Sequence, residues 1–364
     1  MAPSGSTKKS GRRLKGSSSG RPIQAAPDFN GRMEMKPRHL LAIGVAAALS
    51  VTAGAALGQE VVLKSADVHP PGYPTVVAVE EMGRKLSEAT DGRLSIQVYP
   101  SMQLGGEKEF LEQTQVGAIA FARVSLGVMG AITPQLNVFN LPFVFRSTDH
   151  MYKVVDGPLG DEMLQAITDH PTANLVGLAW MDGGTRNLYN GVREIDSMDD
   201  IDGLKFRVMG NPIFVDMMNA VGGNGVSMGM DQLMNALQTG VVDGAENNYP
   251  TYATQQHYNY AKYYSLTGHL IIPEILVMSK SVWNEMSAED QALIKQFAKE
   301  AQAEQRALWQ AKEKESLAEM LANGVVVTEV SAEEKQRFQD AMKPVYETHA
   351  ADLVELIGRI QEIQ

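Results

Sequence analysis

Residues 203–208 read Gly203-Leu204-Lys205-Phe206-Arg207-Val208, and their apolar side chains alternate with two cationic ones. This alternation predicts a half-buried strand whose polar face carries Lys205 and Arg207. Arg207 comes near the end of that strand, and its planar, two-pronged guanidinium matches the geometry of a carboxylate. Arg207 is therefore the first candidate for binding an anion.

The predicted strand continues into two helices and a second strand. Asn211-Pro212 supplies a cap and a first-turn proline, and the helix that they open ends at Gly222-Gly223. A second helix ends at Gly240 and leads into a strand that carries Asn247. Residues 202–248 are therefore predicted to run strand, helix, helix, strand. A guanidinium and an amide then end the two strands, which suits the binding of an anion.

Strands and helices also alternate on both sides of this stretch. The pattern predicts an α/β fold with a parallel sheet, in which ligands bind outside the carboxyl ends of the strands. We expect the loops at 67–74 and 122–128, and the loop before Arg186, to face a ligand. In that last loop, after a predicted strand at 175–181, Gly183-Gly184 suits either a bend between lobes or a plain turn.

One predicted helix is much longer than the others. Helical character persists from Ser287 to about Ala322 and ends at Asn323-Gly324. A helix of about 36 residues is roughly 54 Å long. Because a single small lobe does not need such a rod, we expect this helix to cross two lobes.

The N-terminus has the pattern of an exported protein. Residues 1–32 are rich in Ser, Gly, Lys and Arg, which predicts a disordered leader, and we expect Met33 or Met35 to be the true start. Residues 33–58 combine a short basic start, an apolar run and small residues at the exit, which are the three parts of a signal peptide. The alternative is a membrane anchor, since the apolar run is close to the ~18 residues that can begin to span a bilayer.

Composition limits the function further. The chain has 364 residues, of which 44% are hydrophobic and 21% charged, as expected for a globular chain of about two domains. It has no cysteine, which excludes disulfides, thiolate metal sites and cysteine nucleophiles. Its net charge is −11, and removal of the basic leader makes the mature chain more acidic still. We expect no nucleic acid partner, although convergent arginines in a cleft can still attract an anionic ligand.

Two kinds of chemistry compete with simple binding. Residues 225–229 match the nucleophile elbow of serine hydrolases at Ser227, with His257 or His269 downstream. That elbow needs a strand directly before it, whereas residues 217–221 have the pattern of a helix end. The histidines are scattered without metal-binding spacing, and no nucleotide-binding glycine motif is present. We therefore expect no metal, no cofactor and no enzymatic activity.

What remains is a set of residues suited to an anion: Arg186, Arg207 and Asn247, with Arg123 as a further member. The alternative for any lone arginine is a solvated or ion-paired surface residue.

Four segments together resemble the substrate-binding proteins of TRAP (tripartite ATP-independent periplasmic) transporters, of the dicarboxylate-binding type. They are 203–208, the Ala236 to Asn247 run, Gln103-Leu104-Gly105 and Leu141-Pro142-Phe143-Val144-Phe145. The resemblance implies a periplasmic receptor with a two-lobed α/β fold, which closes on an organic acid and delivers it to a TRAP permease. It also implies a protein that is not embedded in the membrane after signal cleavage.

The resemblance further implies roles for individual residues. Arg207 corresponds to the arginine that clamps the carboxylate, and Arg186 and Asn247 fall at supporting positions. Gln232 departs from the family pattern, because a glutamate is usual there. The predicted first lobe is 59–184 plus about 273–312, and the predicted second lobe is 185–272 plus about 313–364.

The choice of ligand depends on the polar residues near the clamp. The first loop supplies His69 and Tyr73, and Arg123 and Asp182 add further donors and acceptors. This lining is similar to that of family members that take hexuronic acids. We therefore expect a hexuronate such as glucuronate or galacturonate. The alternatives are a C4-dicarboxylate or another small carboxylate, and, more remotely, an exported serine hydrolase.

Overall fold

The computed structural model describes residues 60–364, so the predicted leader and signal peptide lie outside the described part. Its strands are β1 Val61–Ala66, β2 Leu94–Tyr99, β3 Phe121–Ser125, β4 Leu175–Asn190, β5 Lys205–Val208, β6 Asn224–Ser227, β7 Gly244–Asn247, β8 Tyr263–Ser279 and β9 Val326–Glu329.

The α-helices are α1 Pro74–Ala89, α2 Glu107–Gln115, α3 Leu126–Met129, α4 Thr148–Val155, α5 Pro158–Asp169, α6 Pro212–Ala220, α7 Met230–Thr239, α8 Tyr249–Thr254, α9 Lys280–Glu285, α10 Ala288–Ala322, α11 Ala332–Ala341, α12 Lys343–His349 and α13 Val354–Glu362. Short 3₁₀ helices cover Pro134–Asn140, Met198–Ile201, His257–Asn259 and Ala351–Leu353. Within 60–364, no helix is both long and apolar enough to traverse a bilayer.

The predicted α/β class is confirmed, but the sheet is mixed rather than parallel. Its order is β2-β1-β3-β8-β4-β7-β5-β6, and β9 pairs with β8. The strands β1, β2 and β3 are parallel to one another, as are β5, β6 and β7. Between these groups lie β4 and β8, which run antiparallel to each other and to the strands β7 and β3. The two groups form the sheets of two lobes, and β4 and β8 belong to both.

The β4–β8 ladder changes partners along its length. At one end β3 pairs with β8 over residues 274–278, and at the other end β7 pairs with β4 over residues 187–190. Between these ends the register shifts from Asp182 to Thr185. Gly183-Gly184 is therefore a bulge inside one continuous strand and not a turn, because pairing with β8 carries the backbone through it.

The helix α10 crosses both lobes, as predicted. It has 35 residues. Ile294 and Phe297, near its start, pack in a core cluster with residues of α1, of the first half of β4 and of the end of β8. Met320, near its end, packs in a separate cluster with Tyr189 and Tyr252. One helix thus contributes to the cores on both sides of the cleft.

The stretch from β5 to β7 contains one strand more than the sequence pattern predicts. Asn211 caps α6 by accepting a hydrogen bond from the Ile213 backbone N–H at 3.0 Å, and Gly240 ends α7 with a left-handed φ of 70°. Between these helices, Asn224–Ser227 pairs with β5 as strand β6. The strand has four residues, and its formation depends on that pairing. It places the loop after Ser227 beside Arg207.

Candidate functional site

The cleft between the lobes holds a small cavity of about 30 Å³, called here the inner cavity. Several parallel strands end at it, as expected for ligand sites in α/β sheets. Its polar lining is His69, Glu107, Arg123, Ser125, Arg186, Arg207, Asn247, Thr251 and Glu274.

Among the described residues, Arg207 is the cation in this cavity without an acidic partner. Its side chain comes from β5 and is only 3% exposed. The Nε atom donates to the carbonyl oxygen of Met228 at 2.8 Å, whereas the buried Nη1 has no hydrogen-bond partner among residues 60–364. Burial lowers the pKa of Arg207, and the nearest acidic groups do not compensate. A buried cation with free donors is a site for an anion.

Arg186 lies in the same cavity but is already paired. It reaches Glu246 through two nitrogens, one of them Nη2 at 2.8 Å, and its Nη1 donates to the Asn247 side-chain oxygen at 2.9 Å. Burial alone would lower the pKa of Arg186, but the Glu246 carboxylate outweighs it and raises that pKa. This pair fixes Asn247 at the end of β7, since the amide oxygen also accepts from the Asn248 backbone N–H.

Arg123, on β3, is surrounded by carboxylates. It lies 2.7 Å from Asp67, 2.9 Å from Glu274 and 3.5 Å from Glu107. Burial opposes the charge of Arg123, but Asp67 and Glu274 outweigh it and raise its pKa. Burial likewise opposes ionisation of Asp67, yet Arg123 and His69 hold the pKa of Asp67 well below its usual range. Arg123 thus organises acidic residues that match its charge, although its buried Nε has no hydrogen-bond partner among the described residues.

Two carboxylates in the cavity, Glu274 and Glu107, are absent from the sequence prediction. Glu274 is 8% exposed, its Oε2 has no partner among the described residues, and burial raises its pKa. Glu107 begins α2 and accepts hydrogen bonds from the Ser125 backbone N–H at 2.8 Å and from its hydroxyl at 2.9 Å. A signal for Glu274 exists in the sequence, because it is a lone charge in the apolar run Leu270–Met278.

The first loop joins the two lobes. The His69 ring stacks on Tyr73 with centroids 3.7 Å apart. The Tyr73 hydroxyl lies 2.9 Å from the Thr251 hydroxyl, and His69 Nε2 lies 3.4 Å from the same atom. His69 lines the inner cavity, whereas Tyr73 is buried behind it. The loop therefore contacts α8 of the other lobe directly.

Asp182 lies away from the inner cavity, at the bulge of β4. It accepts hydrogen bonds from the Tyr152 hydroxyl and, at 2.8 Å, from the Gly184 backbone N–H. Its own backbone N–H donates to the Gln305 side chain of α10 at 2.8 Å. Burial raises the pKa of Asp182. These contacts hold the crossing strand against the long helix, and a ligand contact by Asp182 stays a prediction.

The features that suggest hydrolysis or a metal do not form a site in the described residues. The sequence argument that no strand precedes Ser227 is wrong, because β6 ends at Ser227. The histidines downstream are nevertheless engaged elsewhere: His257 with the Tyr189 hydroxyl at 2.8 Å, and His269 with the Thr267 hydroxyl at 2.8 Å. Burial lowers the pKa of His257 to about 3. Within 60–364, no group of three or more His, Asp or Glu side chains is arranged to hold a metal ion.

A second, larger cavity adjoins the inner cavity and is called here the outer chamber. It has about 680 Å³ and shares Glu107, Arg207, Met209 and Met230 with the inner cavity. Gln232, the position that departs from the family pattern, is exposed on α7 and lines this chamber. The missing charge therefore lies along the cleft and outside the inner cavity.

Solved structures of other proteins are similar to this chain over most of its length. A TRAP periplasmic solute-binding protein from Pseudomonas putida F1, crystallised with D-glucuronate, is 49% identical with a TM-score of 0.81, and the match covers 84% of this chain and 98% of that one. One from Xanthobacter autotrophicus Py2, with β-D-galacturonate, is 39% identical with a TM-score of 0.79, covering 83% and 100%.

A protein from Citrobacter koseri provides a comparison of two states. With bound D-glucuronate it has a TM-score of 0.81 to this chain at 44% identity, covering 83% and 99% of the two chains. Its open structure without ligand has a TM-score of 0.73 at 43% identity, covering 82% and 99%. The conformation described here is therefore nearer to the ligand-bound state of that protein than to its open state.

The family model described as bacterial extracellular solute-binding protein, family 7, matches residues 65–352. The match covers both lobes, including the inner cavity and the crossing helix, and the predicted family resemblance is confirmed. The chain belongs to bacterial extracellular solute-binding protein family 7, whose TRAP members are periplasmic receptors that bind an organic acid and work with TRAP membrane subunits.

Proposed function

We propose that this protein is the periplasmic receptor that captures a hexuronate, D-glucuronate or D-galacturonate, and delivers it to a TRAP permease. After signal cleavage it acts outside the membrane. It binds and releases its ligand without chemical change, so no turnover is expected.

The observation that carries this proposal is the Arg207 guanidinium, which has no acidic partner among the described residues, in a cavity whose other arginines are paired with carboxylates. Arg186 is matched by Glu246, and Arg123 by several carboxylates. A ligand carboxylate can therefore form two parallel hydrogen bonds with Arg207. Such a pair gains strength when lobe closure excludes water.

The rest of the cavity supports a ligand with hydroxyl groups rather than a second carboxylate. Around Arg123, the acidic groups Asp67, Glu107 and Glu274 outnumber the one cation. A second carboxylate placed there would meet like charges, which costs several kcal/mol. Sugar hydroxyls, by contrast, can donate to the free oxygen of Glu274. This balance disfavours a C4-dicarboxylate and favours a monocarboxylate sugar acid.

Similar proteins support the same ligand class, since those from Pseudomonas putida F1 and Xanthobacter autotrophicus Py2 were crystallised with hexuronates.

Closure of the two lobes on the ligand involves the strands and the helix that cross between the lobes. We propose the lobe limits 59–184 plus about 273–312 and 185–272 plus about 313–364. The first limit falls inside the register shift between Asp182 and Thr185. A bulge there allows the strand to bend.

A thermal-shift panel of organic acids tests the proposal. A receptor is stabilised in proportion to the logarithm of excess ligand, by about 2.7 kcal/mol at a hundred times Kd. D-glucuronate and D-galacturonate should raise Tm, whereas succinate, malate, pyruvate and ectoine should have little effect. Stabilisation by succinate but by neither hexuronate would instead support the C4-dicarboxylate receptor.

A further inference from the structure

The outer chamber is much larger than the carboxylate end of a ligand requires. It has about 680 Å³, compared with about 30 Å³ for the inner cavity. The inner cavity has room for only a few water-sized groups, so the ring of a bound sugar acid must reach towards the chamber. The chamber alone lies within the roughly 300–1,000 Å³ of sites that hold ligands larger than one sugar ring.

The two spaces adjoin at the proposed carboxylate site. Arg207, Met209 and Met230 line both of them from the second lobe, and Glu107 lines both from the first. Because Arg207 lines both spaces, a ligand held by Arg207 lies at the edge of the chamber. The chamber remains in a conformation close to the ligand-bound state of a similar protein.

The chamber's lining suits a neutral sugar. Apolar groups from the first lobe, Leu111, Val128 and Ile132, offer surface for the face of a pyranose ring. Hydroxyl and amide groups at Ser227 and Gln232 lie on the other lobe and can bond ring hydroxyls. Apolar surface combined with placed hydroxyl and amide groups is typical of small-molecule sites.

Charge restricts the occupant further. The chamber is lined by the acidic residues Glu107, Glu109, Glu112 and Asp231, against the cations Lys108 and Arg207. Arg207 is the cation assigned to the ligand carboxylate. A second uronate unit in the chamber would therefore meet an excess of negative charge, which disfavours it. A neutral unit carries no such cost.

We propose that the outer chamber is a second sugar subsite, and that the protein binds hexuronates linked glycosidically to a neutral sugar as well as free hexuronates. This inference rests on the proposed function, because the hexuronate unit supplies the carboxylate for Arg207. The chamber holds the neutral unit. Digalacturonate, with a second carboxylate, is excluded from it by charge.

Calorimetric titration of the mature protein with D-glucuronate, D-galacturonate, a glucuronate–xylose disaccharide and digalacturonate tests this inference. The glucuronate–xylose disaccharide should bind within about tenfold of D-glucuronate, and digalacturonate at least about tenfold more weakly than galacturonate. Failure of both free hexuronates would reject the proposed function. Binding of D-glucuronate together with a disaccharide more than about a hundredfold weaker would overturn the second subsite alone.

Variants that fill the chamber give a matched comparison. Ala131 is exposed and lines the chamber, so Ala131→Trp occupies space there without disturbing the core. It should weaken disaccharide binding at least about tenfold more than it weakens D-glucuronate binding. Gln232→Trp, on the opposite lobe, should do the same. The control Ala303→Trp, on an exposed face of α10, should change neither. Equal loss of both ligands, or no loss of either, would contradict the inference.

Discussion

At the scale of single residues, pairing distinguishes Arg207 from the other two arginines of the cavity. All three are at most 5% exposed. Acidic partners raise the pKa values of Arg123 and Arg186, whereas burial lowers that of Arg207. A buried cation without a partner is costly, and an arriving carboxylate removes that cost. The free charge is therefore where ligand affinity originates.

Replacing Arg207 should abolish most binding. Arg207→Ala leaves the ligand carboxylate desolvated and unpaired, which costs about 2–5 kcal/mol and reduces affinity about 30-fold or more. Arg207→Lys should also bind poorly, because an ammonium cannot match both carboxylate oxygens. Lys205→Ala, at an exposed position on the same strand, is the control. Calorimetry showing Arg207→Ala within about threefold of wild type would reject the clamp, since that is less than 1 kcal/mol.

Glu274 should control the rejection of diacids. Galactarate has the carbon skeleton of galacturonate with a carboxylate at each end, so its second carboxylate meets the acidic residues around Arg123. Glu274→Gln removes one of those charges at similar volume and should narrow the preference for galacturonate over galactarate about tenfold. Competition titrations measure the ratio, with Glu355→Gln on the exposed face of α13 as control. An unchanged ratio would show that Glu274 does not face the second carboxylate.

At the scale of elements, the bulge of β4 is held against α10. Gly184 has a left-handed φ of +66°, and a Cβ there would lie 2.7 Å from Trp309 Cζ2. Trp309 is 1% exposed and has little room to move. The nearby Asp182 donates its backbone N–H to the Gln305 side-chain oxygen, and its carbonyl oxygen accepts from the Gln305 side-chain nitrogen. The bulge is therefore fitted to the helix that crosses both lobes.

Gly184→Ala should lower the free energy of unfolding more than Gly324→Ala does, although both glycines have a positive φ. Gly324 has a φ of +75° and open space around its Cβ position, so Gly324→Ala measures the backbone cost alone, about 1 kcal/mol. Gly184→Ala adds the collision with Trp309 and should cost a further 1–3 kcal/mol or so, as in other overpacked cores. Chemical denaturation gives both values. An equal decrease in the free energy of unfolding in the two variants would mean that the Trp309 side chain moves aside at no cost.

At the scale of the whole molecule, the buried pair Arg186–Glu246 links stability to pH. Burial alone would raise the pKa of Glu246, but Arg186 and His269 lower it from 4.5 to about 2. Between these values the unfolded state binds more protons than the folded state, so the free energy of unfolding rises with pH. This contribution is complete above about pH 5 and is lost as the pH falls towards 2.

Denaturant titrations at pH 3 and pH 6 should therefore give a smaller free energy of unfolding at pH 3. In Glu246→Gln the difference between the two pH values should shrink, although the variant is also weaker at pH 6 by about 3–5 kcal/mol because Arg186 loses its partner. Burial raises the pKa values of Glu274 and Asp182, which therefore act in the opposite direction, so the comparison of variant with wild type isolates Glu246. The same pH difference in both proteins would contradict this assignment.

Much of the fold follows from the sequence, because periodicity and caps are local. Asn211-Pro212, Gly240 and the start of α10 are such signals. The sequence does not indicate β6, since its four residues become a strand only by pairing with β5. The bulge at Gly183-Gly184 has the pattern of a turn until pairing with β8 carries the strand onward.

The residues of the site are likewise predictable from the sequence, but their long-range contacts are not. The sequence identifies Arg207, Arg186 and Asn247 as a group, and the structure places all three in one cavity. It does not indicate that Arg186 is paired with Glu246, because a partner 60 positions away is set by the pairing of β4 with β7. Tyr73 is buried behind the cavity lining for a similar reason, since its hydroxyl meets Thr251 of the other lobe.

The central claim is that the free guanidinium of Arg207 holds the carboxylate of a hexuronate. A crystal structure of the mature protein with D-glucuronate tests it most directly. We expect both carboxylate oxygens to lie about 2.7–2.9 Å from the Arg207 nitrogens, with sugar hydroxyls facing Glu274 or Glu107. A glucuronate whose carboxylate lies elsewhere in the cleft, with Arg207 still unpaired, would contradict the account.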